Sequence, residues 1–178
     1  DKYIYALKEL FIIDEIESWN PNVLSGYSTR SMPKKNLIDP SIATNALSID
    51  DKFLVDNPHI FGPLFESLAI RDLKVYASKY DGEISYYRDS SGLECDVILH
   101  WKDGKYALIE IKLGGASAYE TGLNNLNKLE RLIKDYNANP KNKRKMQLPT
   151  FKMVITAEKT GLNFGNNTIV VPLGCLKD

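Results

Sequence analysis

EISYYRDSSGLECDVILHWKDGKYALIEIKLG, residues 83–114, decides how this chain folds. It contains three runs rich in aromatic, aliphatic and β-branched residues: Glu83 to Arg88, Leu93 to Trp101 and Lys105 to Leu113. Asp89-Ser-Ser-Gly92 and Lys102-Asp-Gly104 separate them. Asp-Gly between such runs is a strong hairpin signal, so the spacing predicts three consecutive strands. Side chains alternate between the two faces of a strand. In the second run Leu93, Cys95, Val97, Leu99 and Trp101 share an apolar face, and Glu94, Asp96, Ile98 and His100 share a mixed one. In the third run Ala107, Ile109, Ile111 and Leu113 are apolar, and Tyr106, Leu108, Glu110 and Lys112 are mixed.

The mixed faces carry the chemistry. Glu110 and Lys112 are two residues apart, hence about 6.6 Å along one face. If adjacent strands pair with their mixed faces together, Asp96, Glu110 and Lys112 converge. Two carboxylates and an ammonium suit Mg²⁺ or Mn²⁺ and a water activated beside a phosphate. Such hard cations take oxygen ligands, acidify bound water and stabilise charge on phosphate; the ammonium orients the water or neutralises the phosphate. The plainer alternative is a solvated strand face, where acid–base pairs at this spacing are common. Against it, Glu110 and Lys112 lie in the nearly continuous apolar run ALIEIKL, which reads as a central strand. Asp96 precedes them across one tight turn, and a long helix with its own acid, Glu66, comes just before the sheet.

Glu66 in FGPLFESLAIRDL, Asp96 in GLECDVIL, and Glu110 with Lys112 in LIEIKLG follow the order of acids in the PD-(D/E)XK nuclease superfamily, which the chain resembles. A closer resemblance is to a domain of unknown function at the C-terminal end of prokaryotic AAA-type ATPases. It rests on Arg30 to Ala43 (RSMPKKNLIDPSIA), Phe61 to Leu73, Tyr86 to Leu99 and Ile109 to Lys112. The resemblance implies a restriction-endonuclease-like core, with Asp96, Glu110 and Glu66 holding the metal and Asp96, Glu110 and Lys112 performing phosphodiester hydrolysis, on DNA rather than RNA. The Ile111 carbonyl would complete the metal's ligands. Two departures stand out: Cys95 rather than Pro precedes the Asp, and the helix after the E-x-K strand offers Asn and Lys where some of these nucleases carry Gln. The alternative is an inactive nuclease-like fold serving as a nucleic-acid or protein binding module. A third reading makes the acids and Lys112 an internal salt-bridge network, which costs desolvation and often adds no stability.

Composition narrows the class. The chain has 178 residues, 43% hydrophobic and 26% charged, as in a soluble globular protein. No run is as long as a membrane span and no signal peptide is visible, so a cytoplasmic protein is expected. Cys95 and Cys175 are too few for a disulfide framework. Both lie in apolar strand-like contexts and are expected as small buried hydrophobes. The chain opens without Met, inside a helical pattern, and has no Walker-type phosphate loop. It is expected to be part of a longer protein; the resemblance puts an AAA-type ATPase domain upstream, where ATP would bind. Twenty-three Lys and Arg balance 23 Asp and Glu, whereas a general nucleic-acid binder is usually basic overall.

Local charge is less even. A helix is predicted from about Tyr119 to Tyr136, with Leu123, Leu126, Leu129, Leu132 and Ile133 as its apolar stripe. Between Lys128 and Lys145 it and the following loop carry Lys128, Arg131, Lys134, Lys141, Lys143, Arg144 and Lys145 against only Glu130 and Asp135. Such a run is a solvated surface or a contact for a nucleic-acid backbone. Arg88 and Glu94 are further candidates, as a phosphate clamp and an extra ligand, or simply as a pair with one another.

The remaining elements follow from periodicity. Residues 1–40 read as a helix to Leu10, a strand from Phe11 to Glu17 and a return strand from Lys34 to Asp39, a partial winged-helix-like segment. Arg30, Lys34 and Lys35 there would contact DNA, or the segment is a packing module. Residues 41–178 form the nuclease-like domain: short helices from Ser41 to Leu47 and Ser48 to Asp56, then a helix from about Ile60 to Tyr80. Phe61, Leu64, Phe65, Leu68, Ala69, Leu73 and Tyr76 are its expected stripe, with Arg71 and Asp72 in a structural network. Strands from Phe151 to Thr156 and Thr168 to Pro172 close an α-β-β-β-α-β order, a mixed sheet flanked by helices.

Overall fold

In a computed structural model describing residues 2–19 and 32–177, the three hairpin runs form β3 (Gly82–Arg88), β4 (Glu94–Trp101) and β5 (Tyr106–Lys112). They pair antiparallel in sequence order. Gly104 closes the second turn at φ 84°, a left-handed conformation that favours glycine. A crossover helix, α5 (Ala116–Ala138), returns the chain so that β6 (Phe151–Thr156) pairs parallel to β5. β8 (Thr168–Pro172) adds parallel to β6, and β7 (Leu162–Gly165) lies antiparallel at the edge. The six-stranded mixed sheet runs β3-β4-β5-β6-β8-β7.

Helices cover both faces. α5 packs Leu123, Leu126, Leu129 and Ile133 against Ile98, Leu108 and Val154. On the other face α4 (Pro58–Lys79) packs Phe65, Ala69, Ile70 and Leu73 against Val97, Ile109 and Ile155. Each such aliphatic side chain contributes about 1.5–3 kcal/mol on full burial. The α4 stripe is centred differently from the expected one: Ile70 and Ala77 are buried, whereas Leu64, Leu68 and Tyr76 are only half-buried. Gly122 lets α5 approach closely; a Cβ there would lie 3.3 Å from Glu110 Cβ and 3.3 Å from Val154 Cγ2.

Ahead of α4 come α1 (Lys2–Glu9), β1 (Ile13–Ile16), β2 (Lys34–Leu37), α2 (Ser41–Ala46) and α3 (Asp51–Asp56). Asp50 caps α3 by accepting from Phe53 N–H. β1 and β2 pair antiparallel. This ribbon is packed onto the larger sheet. Ile16 is 1% exposed within the α4-side core, Tyr86 Oη donates to Met32 O at 2.6 Å, and Lys74 on α4 pairs with Asp14. Arg30, a candidate DNA contact, lies outside the described residues. The first expected strand begins late because Phe11 sits in a turn at φ 54°. Cys95 is buried as expected. Cys175 is exposed: it sits in a 3-10 turn after β8, not in a strand, which corrects the reading of both thiols as buried. No described helix is long and apolar enough to cross a membrane.

Candidate active site

The site lies where β4 leaves β5. The two strands pair from His100↔Tyr106 to Val97↔Ile109 and no further. Against β3, β4 carries one extra residue between Cys95 and Ile98, a bulge of the kind that re-aims side chains. The bulge overturns the simple alternation: Cys95 packs with Ile98 and Leu108 on the α5 side instead of sharing the face of Val97. Side chains then complete the broken ladder. Cys95 Sγ lies 3.3 Å from Ile109 O, and Asp96 Oδ2 accepts from Ile111 N–H at 2.8 Å. Asp96 is thus fixed opposite β5, at the level of Glu110. Burial raises the Cys95 thiol pKa well above its ordinary value, so it remains a neutral packing group.

Glu110 is 1% exposed and Asp96 8% exposed. Lys112 Nζ bridges them, 2.6 Å from Glu110 Oε2 and 3.3 Å from Asp96 Oδ2. The Lys112 ammonium is the close partner of Glu110 Oε2, and Asn125 is a further polar side chain acting on this carboxylate. Burial and then the Asp96 charge push Glu110 up to about 8 from 4.5, against the pull of Lys112 and Asn125. Burial works against the Lys112 ammonium, but Asp96 and Glu110 outweigh it and its pKa is raised.

Glu66 reaches the same place from α4. It pairs with Lys34 of β2, whose Nζ also lies 4.0 Å from Asp96 Oδ1. Burial raises the Glu66 pKa, as does Asp96, while Lys34 lowers it. The structure therefore brings together Asp96, Glu110, Lys112 and Glu66, and adds Lys34. In sequence Lys34 reads as a DNA contact or as part of a packing module; only the strand pairing and the packing of the ribbon show that it enters the acid cluster. Asn125, on the helix after the E-x-K strand, stands beside Glu110.

The secondary candidates fall nearby. Arg88 and Glu94 are cross-strand partners and pair at 2.9 Å. With Lys34 and Tyr86 they line a groove of about 210 Å³ next to the acids. The loop portion of the basic run lies elsewhere. The chain after α5 meets β5 at its other end, where Tyr106 Oη donates to Gln147 O. Six residues of strand, about 20 Å, separate that end from Lys112. Lys143 and Arg144 are exposed in that loop, whereas Lys128 and Arg131 are exposed along α5. Lys134 pairs with Glu130, and Lys145 donates to the Asn137 and Asn139 carbonyls. Lys35 faces Glu15 across the ribbon. His100 and Trp101 line a cavity of about 310 Å³ with Trp19 and Tyr106, away from the acid cluster. Arg71 joins Asp72 at 2.9 Å and Asp39 at 3.0 Å, a structural network.

No group of three or more His, Cys, Asp or Glu among the described residues has the geometry of a metal site. The donor chemistry nevertheless fits a hard divalent cation: the acids offer only oxygens, and Asp96 and Glu110 are both buried. Lys34 and Lys112 supply the positive charge between the acids in this structure.

One protein family matches the chain, the domain of unknown function DUF4143, over residues 61–176. No curated protein and no solved structure matches it.

Proposed function

The chain belongs to the family DUF4143, a domain of unknown function, and on that premise we propose that it is a metal-dependent nuclease, hydrolysing phosphodiesters in DNA more readily than in RNA. Its fold in this reading is a restriction-endonuclease-like core, and it forms the C-terminal part of an AAA-type ATPase. The observation that carries the reading is the cluster itself: two buried carboxylates, Asp96 and Glu110, with the Lys112 ammonium between them. Burying such an ionic cluster costs desolvation that the mutual attraction of its members often fails to repay, and a site retaining that cost in place of apolar side chains is consistent with a bound ligand. Asp96 and Glu110 would hold Mg²⁺ or Mn²⁺, with Glu66 as a third or outer carboxylate and the Ile111 carbonyl as a further donor. The cation supplies an acidified water and neutralises charge on the phosphate. Lys112 holds the attacking water or a phosphate oxygen in place. Ile111 N–H fixes the Asp96 carboxylate in one orientation. Arg88, released from Glu94, is placed to meet a phosphate in the adjoining groove.

A second reading, an inactive nuclease-like fold that binds nucleic acid or protein for the ATPase, is favoured by one observation. Two ammoniums already neutralise the acids. Incubating supercoiled plasmid with the protein and Mn²⁺ separates the two. The first reading expects nicking that is lost in EDTA and falls at least about 100-fold in Asp96→Asn, a loss of about 2.7 kcal/mol in transition-state stabilisation. Cleavage that survives Asp96→Asn would remove this site from the reaction. Absence of cleavage with DNA affinity unchanged in Asp96→Asn would favour the binding module.

A further inference from the structure

Lys34 is presented to the acid cluster by a built support. Its strand, β2, is paired with β1. β1 is anchored by buried Ile16, and the chain beyond it bonds to β3: Tyr86 N–H donates to Glu17 O at 3.1 Å, and Trp19 N–H donates to Tyr86 O at 2.6 Å. Tyr86 Oη in turn holds Met32 O, two residues before Lys34. The ribbon therefore fixes the Lys34 backbone, while its four-carbon stem leaves the ammonium free to move. That ammonium lies between Glu66 and Asp96, carboxylates from a helix and a strand that it alone bridges among the described residues.

We propose that Lys34 is the resident counter-cation of this site, occupying the position between Glu66 and Asp96 from which a divalent cation must displace it. The proposal rests on the metal-site reading above and adds a control to it. The metal-free acids are held together and neutralised by a residue from outside the sheet, so metal uptake requires the Lys34 ammonium to swing away. The cluster then has two lysines with separate tasks. Lys112 bridges Asp96 and Glu110 from within β5 and remains; Lys34 bridges Asp96 and Glu66 and yields.

Calorimetric titration of Mn²⁺ into wild-type protein, Lys34→Met and Lys34→Arg tests this. Met keeps the stem and removes the charge; Arg keeps the charge. The expected result is Mn²⁺ binding at least about tenfold tighter in Lys34→Met than in wild type, with Lys34→Arg within about threefold of wild type. Mn²⁺ should also raise the Tm of Lys34→Met more than that of wild type, because a ligand at free concentration L stabilises by RT ln(1 + L/Kd), which grows as Kd falls. Should Lys34→Met fail to give a cooperative melt in EDTA, Lys34→Gln replaces it. Affinity unchanged or weakened by removing the charge would overturn the counter-cation role and leave the metal site standing. Binding in neither wild type nor the neutral variants would overturn both. Binding that appears only in the neutral variants would support the role in its strongest form.

Discussion

Glu110→Gln raises the thermal stability of the metal-free protein at pH 8 while removing a metal ligand. The sign follows from the direction of the shift. Burial and the Asp96 charge raise the Glu110 pKa in the folded chain from 4.5 to about 8. The folded state therefore holds a proton that the unfolded chain releases at lower pH. The associated stability is present below about 4.5 and is lost as the pH climbs through about 8. Gln has nearly the same shape and is neutral at every pH, so it escapes that loss. One pKa unit corresponds to about 1.36 kcal/mol. Gln also gives up the attraction of Lys112, which offsets part of the gain. The net expectation at pH 8 is about 2 kcal/mol, or a Tm higher by about 4–8 °C for a chain of this size. At pH 4 wild type and variant should melt nearly together, since Glu110 is then mostly protonated in both states. Melting curves at the two pH values check this. A Tm at pH 8 equal to or below wild type would mean that Glu110 is an ionised partner of Lys112, settled in its pocket. Stability gained by removing a functional carboxylate is a common trade at active sites.

Lys112→Ala acts in the opposite direction on stability and more severely on chemistry. Lys112 is the bridge between Asp96 and Glu110, and its removal leaves both carboxylates buried without that compensation. Removing one partner of a buried ion pair typically costs about 3–5 kcal/mol. The 27% exposure of the Lys112 side chain places the expectation at the lower end, about 3 kcal/mol. A divalent cation between the acids restores part of it, so Mn²⁺ binding persists in the variant and its Tm rises with Mn²⁺. Cleavage does not persist. A positioned donor on the attacking water or the phosphate contributes about 10²–10⁴ in rate, and a methyl group cannot replace it. Single-turnover cleavage rates with saturating Mn²⁺ check the chemistry, and melts with and without Mn²⁺ check the stability. Undiminished cleavage would take Lys112 out of the mechanism.

Much of this arrangement was legible because local signals were strong. Asp103-Gly104 set the β4–β5 hairpin, and the period of two placed Ile98 with Leu108 and Val97 with Ile109 on their proper faces. Glu110 and Lys112 shared a face because they are two residues apart on one unbroken strand. Asp96 reached them by a route that alternation does not describe. The extra residue in β4 breaks the pairing, and Asp96 takes the Ile111 N–H that a strand neighbour would have taken. A bulge of this kind has no marker in LECDVIL. Lys34 was harder still: thirty-two residues separate it from Glu66, and its place depends on how the ribbon docks on α4 and β3. The edge strand β7 escaped notice because Leu162-Asn-Phe-Gly165 is exposed throughout and has no apolar face to set a period. Cys175 misled for a related reason: VVPLGC looks like a strand continuing, but Pro172 ends β8 and the chain turns outward. The basic run from Lys128 to Lys145 was plain in sequence; how far its loop portion lies from the acids depends on which end of β5 the loop after α5 meets.

The most direct test of the account is a calorimetric titration of Mn²⁺ into the wild-type protein and its Asp96→Asn variant, in the same buffer. Asn keeps the shape and can still accept from Ile111 N–H, so the fold is retained while a ligand charge is lost. The account predicts saturable binding in wild type, weakened at least about 100-fold, or about 2.7 kcal/mol, in the variant. Equal binding in both proteins would place the metal elsewhere, and no binding in wild type would contradict a metal-dependent site built on Asp96 and Glu110.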